Sequence, residues 1–352
     1  MRIVVTGGAG FIGSEFVRQT LARYPADEVT VLDKLTYAGN LANLAPVASD
    51  PRYRFVEGDI GDVAAVSVAL EGAQAVVNFA AETHVDRSIL EPDAFVKTDV
   101  LGTWNLAEEA RKAGIERFVQ VSTDEVYGAV LEGASREGDR LDPTSPYSAA
   151  KAGGELLVLA AHKTYGLPAL IVRGANAYGP YQYPEKLIPL HVTNAIDDQA
   201  LPVYGDGQQR RQWTHVSDFA SGVDTVLRRG TLGEVYNIGS PEQEADMPVN
   251  LEVSCRILSL LGKAGKADAL IEYVVDRPAH DRRYRVDAAK LQALGWQPRW
   301  SFWAGLEETV EWYTDNEPWW RAIKAGAHHQ AYYQQNYSDR QRFASGSGRG
   351  YP

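Results

Sequence analysis

The sequence predicts a doubly wound α/β fold, a parallel sheet sandwiched between helices, with a smaller and irregular α/β lobe after it. Two observations lead there. Short apolar runs rich in β-branched residues recur at Arg2–Thr6, Val29–Asp33, Tyr53–Glu57, Ala75–Phe79, Arg117–Ser122 and Ala169–Arg173. Stretches of helical length and amphipathic spacing separate them, and the runs read as buried strands of a parallel sheet. A Gly-rich turn follows the first run directly, where doubly wound sheets place ligands.

The chain of 352 residues is 45% apolar, enough for a large core and two domains. Regular alternation holds to about Tyr178, then yields to a segment rich in Pro, Tyr and charge. The expected units are a cofactor domain over 1–177, a lobe over 178–325 with some segments returning to the first sheet, and a polar, mobile tail over 326–352. The tail carries His328-His329, and no metal site is expected there. With 35 basic against 46 acidic residues the net charge is −11, which argues against nucleic acid and anionic membranes as partners. An anionic substrate therefore needs a local basic pocket. Cys255 is the single cysteine, so no internal disulfide forms. No apolar run approaches the ~20 residues of a membrane helix, and Ile3-Val4-Val5 leads straight into the Gly-rich turn without a signal-peptide pattern. The expected location is cytoplasmic.

Thr6-Gly7-Gly8-Ala9-Gly10-Phe11-Ile12-Gly13 lies between the first strand and a helix beginning near Gly13. Glycines there allow the tight turn and bring backbone N–H groups against a pyrophosphate, the fingerprint of a Rossmann dinucleotide site. Gly7, Gly10, Phe11, Ile12 and Gly13 are the candidate contacts. Asp33 ends the second strand 20 residues after Gly13, where its carboxylate accepts from the adenosine ribose and repels a 2′-phosphate. NAD is expected rather than NADP. Asp59-Ile60 and Phe79-Ala80-Ala81 fall at strand ends where the adenine and the middle of the dinucleotide would lie, although a plain strand-end role fits each nearly as well.

Tyr147 and Lys151 stand four residues apart, on one face of a helix. Lys151 in that place lowers the phenol pKa and bonds the nicotinamide ribose, leaving Tyr147 to take a hydroxyl proton while hydride leaves the same carbon for NAD. Chance produces this spacing often. Its weight comes from Ser122-Thr123-Asp124-Glu125-Val126-Tyr127-Gly128, which follows a strand at the ligand-binding edge of the sheet.

Taken together, TGGAGFIG at 6–13, DKLTYAGN at 33–40, AAETHVDRSI at 80–89, STDEVYG at 122–128, SPYSAAKA at 145–152, YGPYQYPEKLIPL at 178–190 and DRPAHDRRY at 276–284 closely resemble the dTDP-glucose 4,6-dehydratases of the extended short-chain dehydrogenase/reductase family. The resemblance covers roughly residues 1–320. It implies that Tyr147 deprotonates the C4 hydroxyl as C4 is oxidised, Glu125 removes the acidified C5 proton, and protonated Asp124 assists departure of the C6 hydroxyl as water. The last role requires a raised carboxyl pKa, which burial and an adjacent carboxylate provide. Thr123 would bond the C4 oxygen and Thr83 would touch substrate nearby. The resemblance adds Lys34, Leu35, Thr36, Gly39, Thr98 and Ala177 to the cofactor contacts. It assigns the nucleotide sugar to Asn176, Glu185, Lys186, Leu187, Pro202, Val203, Tyr204, Arg211, Asn237, Arg277 and His280. Lys186 and Arg211 supply the charge that a diphosphate needs. Departures from the family pattern are Ala177 for Asn, Thr83 for Ser, Gln212 for an acid and Ala279 for Gly.

The rival readings are a dehydratase of UDP-glucose or GDP-mannose, a 4-epimerase or decarboxylase, which the Asp124-Glu125 pair disfavours, and an NAD-sensing regulator without chemistry. The resemblance also implies a homodimer through helices at about 99–113 and 146–165, with Leu101, Leu106, Leu156, Leu157 and Leu159 as candidate interface positions, a pattern an ordinary core face shares.

Overall fold

The computed structural model describes residues 1–240 and 247–338. Seven parallel strands form the main sheet, with β11 (Val235–Ile238) at one edge, in the order β11-β6-β5-β4-β1-β2-β3. Six are the expected ones: β1 (Arg2–Thr6), β2 (Glu28–Asp33), β3 (Tyr53–Glu57), β4 (Ala75–Asn78), β5 (Arg117–Thr123) and β6 (Ala169–Gly174). The strand order reverses at β1, which pairs with β2 on one side and β4 on the other. A crevice opens at such a reversal, and here the first Gly-rich turn faces it.

Helix α1 (Phe11–Arg23) follows that turn, starting two residues ahead of Gly13. After α2 (Val63–Leu70) and α3 (Val85–Leu90), a π-helical turn at Val96–Gly102 runs into α4 (Thr103–Lys112). The long α5 (Pro146–Tyr165) packs beside it. Gly154 is required at that crossing, since a Cβ there would lie 2.2 Å from the carbonyl oxygen of Asp99. One apolar layer, with Phe16, Val31, Val119 and Leu227, fills one face of the sheet, and a second, with Leu70, Phe118, Val158 and Leu167, fills the other.

Beyond β6 the chain makes short parallel pairs: β7 (Asn176–Tyr178) with β10 (Trp213–His215), β8 (Leu201–Tyr204) with β12 (Ile271–Val274), and β9 (Arg210–Arg211) with β13 (Arg283–Tyr284). These, with α6 (Leu187–Ile196), α8 (Asn250–Leu260) and α9 (Phe302–Asp315), surround a third apolar cluster that includes Tyr178, Ile257, Tyr313 and Trp320. Between them α7 (Val216–Arg229) and β11 (Val235–Ile238) return to the main sheet, β11 as its edge strand beside β6.

Two expectations need correction. The stretch after residue 326 is not a loose tail as far as it is described: α10 (Glu317–Ala325) is followed by α11 (Ala327–Tyr333) and a π turn at Gln334–Ser338, with His329, Tyr332 and Asn336 buried. The rest of the expected tail, 339–352, lies outside the described residues. Leu106 is fully buried in the second core layer, so it faces the sheet and no partner. Leu101 and Leu156 do lie at the surface, 59% and 53% exposed.

Candidate active site

The crevice is one continuous cleft from the first glycine turn to the C-terminal lobe. At its cofactor end Gly7 takes φ +65°, and a Cβ there would come within 2.6 Å of the backbone nitrogen of Ala80. Any side chain would therefore close the cradle. Gly10 caps α1 without a side-chain bond, leaving the first-turn N–H groups for an anion. Asp33 is buried, and its carboxylate accepts from the backbone N–H groups of Ala9 and Leu35, both at 2.9 Å. Those bonds hold the side chain where a ribose would meet it. Lys34 pairs with Asp59 at 3.2 Å, which ties the second strand end to the third. Thr36, Gly39, Ile60, Phe79, Ala80, Ala81, Thr98 and Ala177 line the same end. These residues fit a dinucleotide with a free 2′-hydroxyl.

Leu35 is the exception among the expected cofactor contacts. It sits at φ 52°, packs its side chain against the core and does not line the cleft, so its contribution there is the N–H that orients Asp33.

The middle of the cleft holds the expected chemical groups together: Thr123, Asp124, Glu125, Tyr147 and Lys151. Thr123 ends β5 and caps a single 3-10 turn at Asp124–Tyr127, its hydroxyl accepting from the N–H of Glu125 at 3.2 Å. That cap aims both carboxyls into the cleft. Ser145 caps α5 in a capping box with Ser148, and Pro146 at the first turn has no N–H to leave unpaired. Tyr147 and Lys151 then share the inward face, the phenol ring edge-on to Phe95 at 6.1 Å.

Burial shapes the titration of this cluster. Asp124 is 2% exposed, and burial, reinforced by the charge of Glu125, pushes its carboxyl up to about 8. Its Oδ1 accepts from Thr123 at 3.2 Å while Oδ2 has no partner. Glu125 is also raised by burial, but the charges of Arg277, Arg211 and Lys186 oppose the rise. Two adjacent carboxyls thus receive different surroundings, Asp124 with its rise reinforced by a neighbouring charge and Glu125 with its rise opposed by three cations.

Tyr147 is raised well above the usual phenol range by burial and by the carboxylates of Glu125 and Asp99, and the Thr123 side chain is what favours its ionised form. Lys151 donates to the carbonyl of Val121 at 2.8 Å, and burial lowers its pKa against the attraction of Asp99, itself pushed up to about 7 by burial.

Toward the C-terminal lobe the cleft becomes basic. Lys186 donates to Thr83 at 3.3 Å, so the hydroxyl that replaces the family's Ser still meets the lysine. Arg211 lies over the Tyr284 ring and donates to the Asp281 carbonyl at 2.8 Å, and Arg277 pairs with Asp86 at 3.5 Å. Asn176, Leu187, Pro202, Val203, Tyr204 and His280 line this end too. Glu185 belongs to the wall, but its carboxylate is held by Arg87 at 2.7 Å.

Asn237 is the one expected substrate residue that does not line the cleft. It is fully buried outside the cleft, accepting from the Tyr127 hydroxyl at 2.9 Å and donating to the Ser135 and Asp287 carbonyls. Its amide fastens the segments around the catalytic turn to β11. Of the departures, Gln212 is explained by its neighbours: one amide end donates to the Ser240 carbonyl and the other accepts from the N–H of Val286, both at 2.9 Å, which a carboxylate cannot do. Ala279 keeps a glycine-like φ of 53°, a local strain of roughly 1–2 kcal/mol. Ala177 retains a backbone role, accepting from the Gln182 side chain at 2.9 Å.

Sequence reasoning missed His84 and Asp86, although their motif was in view. His84 is buried in the cleft wall at φ 87°, a conformation worth about 1–3 kcal/mol of strain and typical of functional sites. No local pattern marks such a dihedral. His329 is engaged by the Pro184 carbonyl at 3.2 Å and His328 stacks on Tyr37 at 5.1 Å. Among the described residues no group of three His, Cys, Asp or Glu is placed to hold a metal.

Comparison with known proteins agrees with this geometry. A family model for GDP-mannose 4,6 dehydratase matches residues 4–309. A dTDP-glucose 4,6-dehydratase of Streptomyces niveus is 52% identical, covering 92% of this chain and 96% of its own, and dTDP-glucose 4,6-dehydratase 1 of Escherichia coli is 44% identical over 97% and 100%. Among solved structures, DesIV, the dTDP-glucose 4,6-dehydratase of Streptomyces venezuelae with NAD and TYD bound, superposes with a TM-score of 0.88 at 51% identity, covering 92% of this chain and all of that one. The glycine cradle, the Asp124-Glu125 turn and the Tyr147–Lys151 helix all fall within the 4–309 match, and the chain belongs to the GDP-mannose 4,6-dehydratase family of nucleotide-sugar dehydratases, among its dTDP-glucose 4,6-dehydratases.

Proposed function

We propose that this chain converts dTDP-glucose to dTDP-4-keto-6-deoxy-glucose and water. The observation that carries the reading is the unequal surroundings of two adjacent buried carboxyls aimed into one cleft, Asp124 held protonated up to about pH 8 and Glu125 faced by three cations. NAD, when bound on the Gly7–Gly13 turn and Asp33, supplies reversible oxidation, accepting electrons from C4 and returning them at C6. The remaining work falls to side chains. Thr123 holds the C4 oxygen and Tyr147 Oη takes its proton, with Lys151 positioning the ring and the cofactor ribose. A C4 ketone acidifies the C5 hydrogen, which Glu125 removes. Asp124 then gives its proton to the C6 oxygen so that water leaves, C5 is reprotonated from Glu125, and the proton that Tyr147 took from C4 restores Asp124, so that every side chain ends as it began. Lys186, Arg211 and Arg277 hold the diphosphate of the substrate. Residues 1–177 would chiefly hold NAD and 178–325 chiefly the nucleotide sugar, in the cytoplasm where both are made.

The test is turnover of dTDP-glucose against UDP-glucose with catalytic NAD, followed through the alkali-induced absorbance of the keto-deoxy sugar across a pH series. dTDP-glucose is expected to be preferred, and kcat is expected to fall as pH rises through about 8, because ionised Asp124 has no proton to give. No product from any hexose nucleotide would sink the reading, and a faster reaction with UDP-glucose would change the base.

We also propose a homodimer through α5 and the π-helical turn at Val96–Gly102 that leads into α4. Exposed Leu101 and Leu156, with Val96 49% exposed on the same stretch, are apolar surface that a partner helix pair would cover. Sedimentation at micromolar concentration should give twice the chain mass of 38.6 kDa, and a monomer would exclude the interface.

A further inference from the structure

Arg87, on α3, stands where several parts of the site meet. Its guanidinium lies over the Tyr37 ring at 3.8 Å, from the turn after β2, and over the Tyr332 ring at 4.1 Å, on α11. The Tyr37 hydroxyl in turn donates to the Thr83 carbonyl at 2.9 Å. Two ring contacts fix the plane of a guanidinium and leave its edge for hydrogen bonds. That edge meets Glu185: Nε at 3.0 Å and Nη2 at 2.7 Å both donate to Oε2 of the buried carboxylate. Arg87 itself does not line the cleft.

What this pair prevents follows from the next residue. Lys186, directly after Glu185 and just ahead of α6, lines the cleft and donates to the Thr83 hydroxyl at 3.3 Å. The strongest attractions on the Glu185 carboxylate come from Arg87 first and Lys186 second. A buried carboxylate stripped of its partner takes the nearest cation that remains, because leaving the charge unpaired is far more costly. Without Arg87 that cation is Lys186, and an ammonium drawn to Glu185 is lost to an anionic ligand in the cleft.

We propose that Arg87 is a positioning residue for the substrate: by pairing with Glu185 it leaves Lys186 free to hold the diphosphate of the nucleotide sugar. The inference rests on the nucleotide-sugar reading above. The Tyr37 and Tyr332 rings hold the guanidinium against Glu185, so its charge acts on that carboxylate and not on the ligand.

The test is a double-mutant cycle on the full-length, NAD-loaded enzyme, read by calorimetric titration with dTDP. Arg87→Met is expected to weaken dTDP binding about 10- to 100-fold, the size of one charge-assisted contact, and to raise KM for dTDP-glucose more than it lowers kcat. In a Glu185→Gln background, where no carboxylate competes for Lys186, the same replacement is expected to cost less than about threefold. A mere prop would not show that difference, because the doubly substituted enzyme still lacks the guanidinium and both of its ring contacts. Arg87→Lys, which keeps the charge, should lose less than Arg87→Met, and it supplies the same comparison in both backgrounds where the methionine variant does not fold. Equal losses in the two backgrounds would make Arg87 a structural prop, and undiminished dTDP affinity with Glu185 present would show Lys186 free without it; either overturns the proposal while leaving the nucleotide-sugar reading intact. A wild-type enzyme that does not bind dTDP overturns both.

Discussion

Replacing Glu125 with Gln is expected to lower kcat for dTDP-glucose by roughly 10²–10⁴-fold, the range a general base contributes. The amide nearly matches the carboxylate in shape, so the cap from Thr123 to the Glu125 N–H survives and substrate binding should change little. What disappears is the acceptor for the C5 proton. Oxidation at C4 does not need that acceptor, so reduced cofactor should build up in the variant after substrate is added, and solvent deuterium should not enter at C5. The substitution also removes a charge that raises Asp124, with Arg211 still pulling the other way. Any residual activity should accordingly lose its high-pH side at a lower pH than wild type. Wild-type turnover, or deuterium at C5 in the variant, would take the base role from Glu125.

Replacing Tyr147 with Phe is expected to cost a similar factor, roughly 10²–10⁴ in kcat, but to stop the reaction earlier. The ring is retained against Phe95 and α5 keeps its Ser145 cap, so the fold and the placement of Lys151 should persist. The missing group is the acceptor for the C4 hydroxyl proton. No ketone then forms, no reduced cofactor builds up and the C5 hydrogen stays inert. The two variants thus fail at different steps, which separates their roles by spectrum as well as by rate. The phenol is neutral in folded and unfolded chain alike near pH 7, so its raised pKa adds no stability term there and loss of the one hydroxyl should leave thermal stability near that of wild type. A Tyr147→Phe enzyme within tenfold of wild type would mean that another group, with Thr123 nearest, accepts that proton.

The protein's local rules were legible in its residues. Six strands of the sheet follow from β-branched runs that must be covered on both faces, and the cradle at Gly7–Gly13 follows from a turn that admits no Cβ. The spacing of Tyr147 and Lys151 on one helix, and of Thr123 ahead of two acids at a strand end, likewise depends on neighbours within a few residues. Such arrangements are written in periodicity and capping, which act over one or two turns.

Tertiary structure decided what depends on where the chain returns. The seventh strand comes from Val235–Ile238, far along the chain from β6. Leu106 turns into the core while Leu101 and Leu156 turn out, although all three carry the same apolar signal. Asn237 bonds the Tyr127 hydroxyl and two carbonyls, and Lys151 bonds the Val121 carbonyl, partners that their own segments do not announce. The polar composition after residue 326 carries no sign that Tyr332 would meet His84 or that Tyr337 would face Tyr204. The physical reason is common to these cases: hydrogen bonding, burial and the charge surrounding a side chain are set by partners 30 to 248 residues away, and local residue order encodes its own turn of helix or strand but not which distant surface that turn will meet.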